Sequence, residues 1–433
     1  MNKISKVAFF LLISFFVKGQ DNSWSLQKCI GIGLENSIQI KINLLEVKRT
    51  QKAKNSFVNE ILPTVNLFGS QSYNFGSTID PSTNGRVSSN IQYDNFYLNA
   101  QMNLLDFNKL ANTQRDKINI EIAKADKEVI ENEYKLQILE SYYQTLFTQE
   151  LLSIQKQQVI NSKNNLDRIQ KEVNIGSKPK SDLYDIQFLF AKEEKQVVET
   201  EQLYIIQKTE LFQLINFTDL SIEEVVLEKS ITQTEHQTNS EEINNPKITV
   251  AKLNYDKNRK EIKAQRGLGL PTLSAFYQIS SFYYKPLNQP NSAVESFSNQ
   301  IENNKNQQIG LQLNIPIFNG FKKNKRVSVA KIESEKAKLV ITQENQKIKQ
   351  QVEVEKKNLY NYLQLQEKLN EVENYANESF GTTQAKFTSG KADAFSYASS
   401  KNNLLSSEYD VLKNNLQVQF TQLKMNLIQF NQL

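Results

Sequence analysis

The sequence has little of what enzymes and metalloproteins use most. Its 433 residues hold one cysteine and one histidine. The lone Cys29 excludes an internal disulfide. The lone His236 disfavours His-based catalysis and His-rich metal sites. No G-x-S-x-G element, Cys/His pairing or cluster of metal ligands occurs, so no catalytic residue, metal or cofactor is expected. Glycine and proline are scarce, at 13 and 8 residues, and the stretches 109–172 and 322–380 contain neither. Apolar residues make up 39%, too few for a thick globular core in a chain of this length.

The N-terminus reads "MNKISKVAFFLLISFFVKGQ". Lys3 and Lys6 precede the apolar run Val7–Val17, and Gly19 follows. This is the pattern of a secretory signal peptide over residues 1–19, too short to span hydrocarbon. No later segment offers ~18 consecutive apolar residues, so a transmembrane helix is not expected, whereas a β-barrel stays open. Loss of Lys3, Lys6 and Lys18 takes the formal charge from +5 to +2. A near-neutral chain does not point to nucleic acid. Cys29 follows Leu26-Gln27-Lys28, which is not a small-residue lipidation motif, and is expected to be a buried helix residue.

The chain is written twice. "LPTVNLFGSQSYNF" (Leu62–Phe75) returns as "LPTLSAFYQISSFY" (Leu270–Tyr283), and "AQMNLLDFNK" (Ala100–Lys109) as "LQLNIPIFNG" (Leu311–Gly320). "ENSIQIKINLLEV" matches "INNPKITVAKLNY", and "VNIGSKPKSDLY" matches "FTSGKADAFSY" around Gly176 and Gly390. A single long period of this kind is a duplication, not a solenoid. It divides the chain into a first repeat (20–216), a linker (217–243) with a short strand near Ile222–Leu227, and a second repeat (244–433).

Within each repeat two stretches alternate with period two, the mark of strands with unlike faces. Strands are expected at about 63–76, 91–106, 271–285 and 306–318. Leu98, Met102 and Leu104 oppose Asn99, Gln101 and Asn103. Leu311, Leu313 and Ile315 oppose Gln312 and Asn314. Strands of about ten residues cross a bilayer at a tilt. A soluble sheet would need another layer over its apolar face, and the rest of the chain supplies only polar helices. Those helices are expected at about 109–172, 182–214, 322–387 and 393–430. Leu152, Val159, Leu166 and Val173, every seven residues, and Ala330, Ala337, Ile341, Ile348 and Val352, at alternating spacings of seven and four, predict coiled-coil packing. Gly176 and Gly390 read as helix C-terminal caps, and Ser181 or Asp182 as the next N-cap.

The signal peptide, "WSLQKCI" near the mature start, "LPT" before the first strand of each half, paired strands and Gly-centred tips together resemble the TolC-like outer membrane efflux proteins. The wording "NFGSTIDPSTN" is similar to Bacteroidetes-type members. The resemblance implies a mostly α fold with transmembrane β: duplicated helix–strand hairpin–long helix–helix halves. Three copies form a 12-strand outer-membrane β-barrel continued by a periplasmic α-helical coiled-coil tunnel. It implies a homotrimer serving as the passive outer-membrane conduit of tripartite efflux or type I secretion. A periplasmic adaptor and, through it, an inner-membrane pump are the implied partners, with outer-membrane lipid around the barrel. On this reading Asn99, Gln101, Asn103, Gln312 and Asn314 face the barrel lumen. Leu98, Met102, Leu104, Leu311, Leu313 and Ile315 face lipid, and Gly176 and Gly390 mark the tips that meet the adaptor. Members carry acidic residues six and nine positions after the second tip glycine; here Ser396 and Ser399 stand there. The same offsets in the first half hold Asp182 and Asp185, so all four are entrance candidates. The family's latch arginine is replaced by Ala392, beside Lys391. The alternative is a periplasmic coiled-coil adaptor or surface scaffold without a pore, which would lack a whole-chain duplication with two strand pairs.

Overall fold

A computed structural model of the chain describes residues 23–79, 84–88, 90–218, 224–229, 243–287 and 294–432. The expected signal peptide and most of the linker lie outside these residues. In the first half the elements are β1 (Ser23–Trp24), α1 (Leu26–Asn36), α2 (Ile38–Ala53), α3 (Phe57–Ile61), β2 (Thr64–Asn74), β3 (Ser77–Ile79), β4 (Arg86–Ser88), β5 (Ile91–Leu105), α4 (Phe107–Asn174) and α5 (Lys180–Leu214). The second half adds β6 (Val226–Leu227), α6 (Pro246–Gly267), β7 (Thr272–Pro286), α7 (Phe297–Asn303), β8 (Asn306–Asn314), α8 (Lys322–Thr388) and α9 (Ala394–Phe430).

These elements gather into two compact units, and each unit draws on both repeats. The duplication therefore does not make one globule per half. One unit comprises residues up to 41, 129–245 and 347–433; the other comprises 42–128 and 246–346.

In the first unit, the core collects where Trp24, Cys29, Leu139, Tyr142, Leu146, Leu211, Phe212, Leu416 and Leu427 meet. β1 and β6 pair in parallel, Ser23 with Val226 and Trp24 with Leu227. The Tyr142 hydroxyl lies 2.9 Å from the Trp24 carbonyl and 2.7 Å from that of Glu228, tying this pair to α4. The short linker strand is thus held by the Tyr142 hydroxyl and by burial of the Val225 and Leu227 side chains. Cys29 is buried in α1, and burial pushes its thiol up to about 12, far from a reactive thiolate.

The second unit is built on a four-stranded antiparallel sheet of order β2-β5-β7-β8. Each half supplies one hairpin, and β5 pairs with β7 to join them. The outer strands β2 and β8 each leave one backbone edge unpaired among the described residues. Asp106 caps α4, its Oδ1 accepting from Asn108 N and Lys109 N. The C-terminus of α6 meets the start of α4 closely: Asn108 Nδ2 donates to the Ala264 carbonyl at 2.8 Å. A Cβ on Gly267 would lie 2.7 Å from Asn108 N. Gly267→Val should therefore cost about 1–3 kcal/mol through overpacking, read as a lowered thermal midpoint of the purified protein.

Two details of the expected strands differ. The strand expected over 306–318 ends at Asn314, because Pro316 cannot donate to a ladder. Between the paired strands lie further elements: β3 and β4 form a small hairpin, and α7 packs on β7.

Candidate channel surfaces: the sheet faces and the helical tips

Directly opposed residues in an antiparallel pair share a face, so the register sorts the sheet's side chains. Leu98 lies opposite Leu67 and Ile279, Ala100 opposite Val65 and Tyr277, and Met102 opposite Ala275. Across the next ladder Ile309 meets Tyr277, Leu311 meets Ala275 and Leu313 meets Leu273. These residues make one continuous apolar face. Asn99 lies opposite Asn66 and Gln278, Gln101 opposite Thr64 and Phe276, and Asn103 opposite Ser274. Gln312 is opposite Ser274 and Asn314 opposite Thr272, on that same second face. All five amide residues singled out from the sequence therefore lie together on the polar face.

Strict alternation also assigns Leu104 to the apolar set. A register shift between Asn103 and Leu105 instead puts Leu105 opposite Leu273, and Leu104 is the unpaired residue of the bulge. Ile315 falls one residue beyond β8 and is exposed. At the far end the apolar face gives way to an aromatic cluster. Phe297 of α7 packs edge-on against Phe96 at 6.1 Å and lies 5.2 Å from Tyr283. Gln300 holds α7 there by bonding Tyr284 N at 2.9 Å and the Tyr284 carbonyl at 3.0 Å.

The two tips, both in the first unit, close by one device. After α4, Ser177 N donates to the Glu172 carbonyl and Gly176 N to that of Val173. After α8, Lys391 N donates to Lys386 and Gly390 N to Phe387. This paired pattern requires a left-handed residue, supplied by Gly176 at φ +79° and Gly390 at φ +74°. A β-branched residue at Gly390 would cost about 1–2 kcal/mol. Gly390→Val should fray the tip and speed protease cleavage at Lys386 and Lys391, read by mass spectrometry of the fragments.

Under the tips Ile169, Leu183, Ile186, Leu189, Phe387, Ala394 and Tyr397 form a small core. Lys178 links the two tips, with Nζ 3.4 Å from the Phe387 carbonyl and 4.4 Å above its ring. The N-cap of α5 is Pro179 and not Ser181 or Asp182, because the helix begins at Lys180. Asp182 sits inside the first turn, 3.7 Å from Lys178 Nζ. Asp185, Ser396 and Ser399 are exposed. Asp393 caps α9, accepting from Ser396 N at 2.8 Å; the Ser396 hydroxyl first, and its N–H second, hold the Asp393 carboxyl below the usual range.

Sequence reading missed two features here. Ile175, Tyr184, Phe188 and Phe395 are large apolar side chains exposed around the tips. Farther along the bundle, Lys401 of α9 is buried, with Nζ 2.7 Å from Glu193 Oε1 of α5. Ser162 of α4 bonds to both. The available signal was a polar residue in an apolar stripe: Lys401 stands between Ala394, Tyr397 and Leu404, and Glu193 follows Leu183, Ile186 and Leu189.

Among the described residues no helix is long and apolar enough to cross a membrane, and no His/Cys/Asp/Glu group could hold a metal ion. The sequence profile described as "Outer membrane efflux protein" matches residues 33–216 and 238–427, well over half the chain. No curated protein matches it. Among solved structures it is similar to the outer membrane protein VceC of Vibrio cholerae, at 14% identity and TM-score 0.72, covering 93% of this chain and 94% of that one. It is similar to the Campylobacter jejuni CmeC outer membrane channel at 13% identity and TM-score 0.74, covering 94% and 85%. The open-state Neisseria gonorrhoeae MtrE outer membrane channel gives 14% identity and TM-score 0.70, covering 94% and 89%.

Proposed function

The chain belongs to the outer membrane efflux protein family, and from that premise we propose that it is the outer-membrane channel of a tripartite export system. The observation that carries this reading is the four-stranded sheet with one apolar face and two unpaired edges. In lipid every backbone N–H and C=O needs a partner, so an open sheet cannot stand alone there. The edge of β8 in one copy pairs with the edge of β2 in the next. Three copies of four strands close a ring of twelve. The apolar face then meets lipid, and Asn99, Gln101, Asn103, Gln312 and Asn314 line a wet lumen.

The helices continue the conduit into the periplasm, with the Gly176 and Gly390 tips at its inner end. The channel has no energy source of its own. Drive and substrate choice come from an inner-membrane pump, through a periplasmic adaptor that seats on the tips. Ile175, Tyr184, Phe188 and Phe395 give that contact apolar anchors. Asp182 and Asp185 put acidic residues near the mouth in the first half, while Ser396 and Ser399 stand at those offsets in the second half, whose acidic residue at the tip is the helix cap Asp393.

Purified protein reconstituted in a planar bilayer tests the reading. We expect a heat-labile trimer in gels and discrete current steps. Gln312→Arg should change step size and ion preference while leaving trimer yield unaltered. A monomer that carries no current under any reconstitution condition would overturn it.

A further inference from the structure

The turn from β8 into α8 reads "IFNGFKKNKR", Ile317–Arg326. Three of its residues are large, apolar and open: Ile317 is 90% exposed, Phe318 74% and Phe321 69%. They continue, in sequence, the stripe Ile309, Leu311, Leu313. Gly320 and Phe321 both have positive φ, +61° and +60°. A left-handed conformation strains a phenylalanine. It also lets Phe321 pack edge-on against Phe318 at 5.5 Å.

Directly after them come Lys322, Lys323, Lys325 and Arg326, four cations in five positions. Among the described residues none has a carboxylate within ion-pair distance. They stand at the start of a helix, where the dipole disfavours positive charge, so they do not serve the helix. Lys322, Lys325 and Arg326 line a groove of about 580 Å³ between α6 and α8, together with Val329 and Ala330. Its two carboxylates are engaged elsewhere: Glu261 with Arg115 at 2.8 Å and Glu333 with Lys336 at 3.8 Å.

The duplication supplies an internal control. With Asn108 matched to Asn319, the first half makes its own strand-to-helix turn with Ala111, Asn112 and Gln114 opposite Lys322, Lys323 and Lys325, while Arg326 falls opposite Arg115, which is paired with Glu261. The three lysines are therefore not a requirement of the fold.

We propose that Ile317–Arg326 binds anionic phospholipid headgroups of the periplasmic leaflet. Ile317, Phe318 and Phe321 sit at the headgroup–acyl boundary, and Lys322, Lys325 and Arg326 hold phosphates at the groove. This rests on the membrane-barrel reading above, since the segment follows the last strand on the side from which the helices leave. Aromatic residues at a barrel rim and basic residues just beyond it fit that position.

The test uses full-length trimer in nanodiscs of phosphatidylcholine with a minority of phosphatidylglycerol. Lipids retained per trimer are then counted by native mass spectrometry. Wild type should retain phosphatidylglycerol preferentially, and the preference should weaken as salt rises. The Lys322→Ser/Lys325→Ser/Arg326→Ser protein should lose it, by roughly fivefold per cation at low salt. Lys331→Ser/Lys338→Ser, farther along α8, should keep it. Should the triple variant fail to assemble, the salt dependence and single variants of wild-type fold decide. Equal retention by wild type and variant overturns the proposal. So does full displacement of the lipid by inorganic phosphate, or retention unchanged with capture of an acidic adaptor lost instead. Failure of the wild type to insert in either lipid would count against the barrel itself and is seen before any lipid is counted.

Discussion

Replacing Lys401 by alanine should cost about 3–5 kcal/mol of stability, because the change strands a carboxylate inside the helical bundle. The Lys401 side chain is 1% exposed and that of Glu193 7%. Both Glu193 oxygens lie close to Nζ, at 2.7 and 3.0 Å, and Ser162 satisfies what remains. The three residues come from α9, α5 and α4, so the pair is the polar pin of a three-helix contact. Tyr397 packs nearby, its hydroxyl pushed up to about 12 by burial first and by the Glu193 charge second. With the cation gone, water must enter or the carboxyl must take a proton, and either loosens the contact. Removing both charges has a different cost. Lys401→Leu with Glu193→Leu leaves no buried charge unpaired, only the Ser162 hydroxyl to turn to a carbonyl of its own helix, and such swaps are often neutral or stabilising. Chemical denaturation followed by circular dichroism should therefore show a large drop for the single change and recovery for the double. A double variant as unstable as the single would mean the pair is not what pins these helices.

A charge on the apolar sheet face should be punished according to its row. The register stacks Leu105/Leu273/Leu313, then Met102/Ala275/Leu311, then Val65/Ala100/Tyr277/Ile309, then Leu67/Leu98/Ile279. Helices leave the sheet at the Leu313 end, so that row lies near the interface and Ile309 near the middle of the band. Ile309→Arg should cost about 2–4 kcal/mol per copy, and Leu313→Arg only about 0–1, since arginine near an interface reaches water. Three copies share each ring, so the Ile309 change should abolish trimer recovery from outer-membrane extracts. Gln308→Arg, on the opposite face, should leave recovery intact and alter conductance. Equal yields for Ile309→Arg and Gln308→Arg would sink the assignment of faces.

Much of this was legible because strands and coiled coils write their periods locally. The alternation of Ile309, Leu311 and Leu313 with Gln308 and Gln312 carries face and element together. A bulge does not advertise itself in that way: Leu104 and Leu105 are chemically alike, and only the pairing with Leu273 tells them apart. The tip glycines were legible because a left-handed cap nearly demands glycine. The helix start at Lys180 was not, since Pro179 caps without a side-chain bond and Ser181 and Asp182 looked equally suited. The Ser162–Glu193–Lys401 cluster is the least readable, being distant in sequence and set among helices rich in lysine and glutamate. The basic turn after β8 stands out only once the packing shows that its cations lack carboxylate partners.

The β5–β7 ladder has a consequence for biogenesis. Residue 91 is in register with residue 286, and both long helices of the first half separate the two strands. Contacts so remote form slowly. The first hairpin therefore emerges into the periplasm well before its neighbour and waits there with an uncovered oily surface. A chaperone that shelters nascent strands would have to hold it until the second half has been secreted.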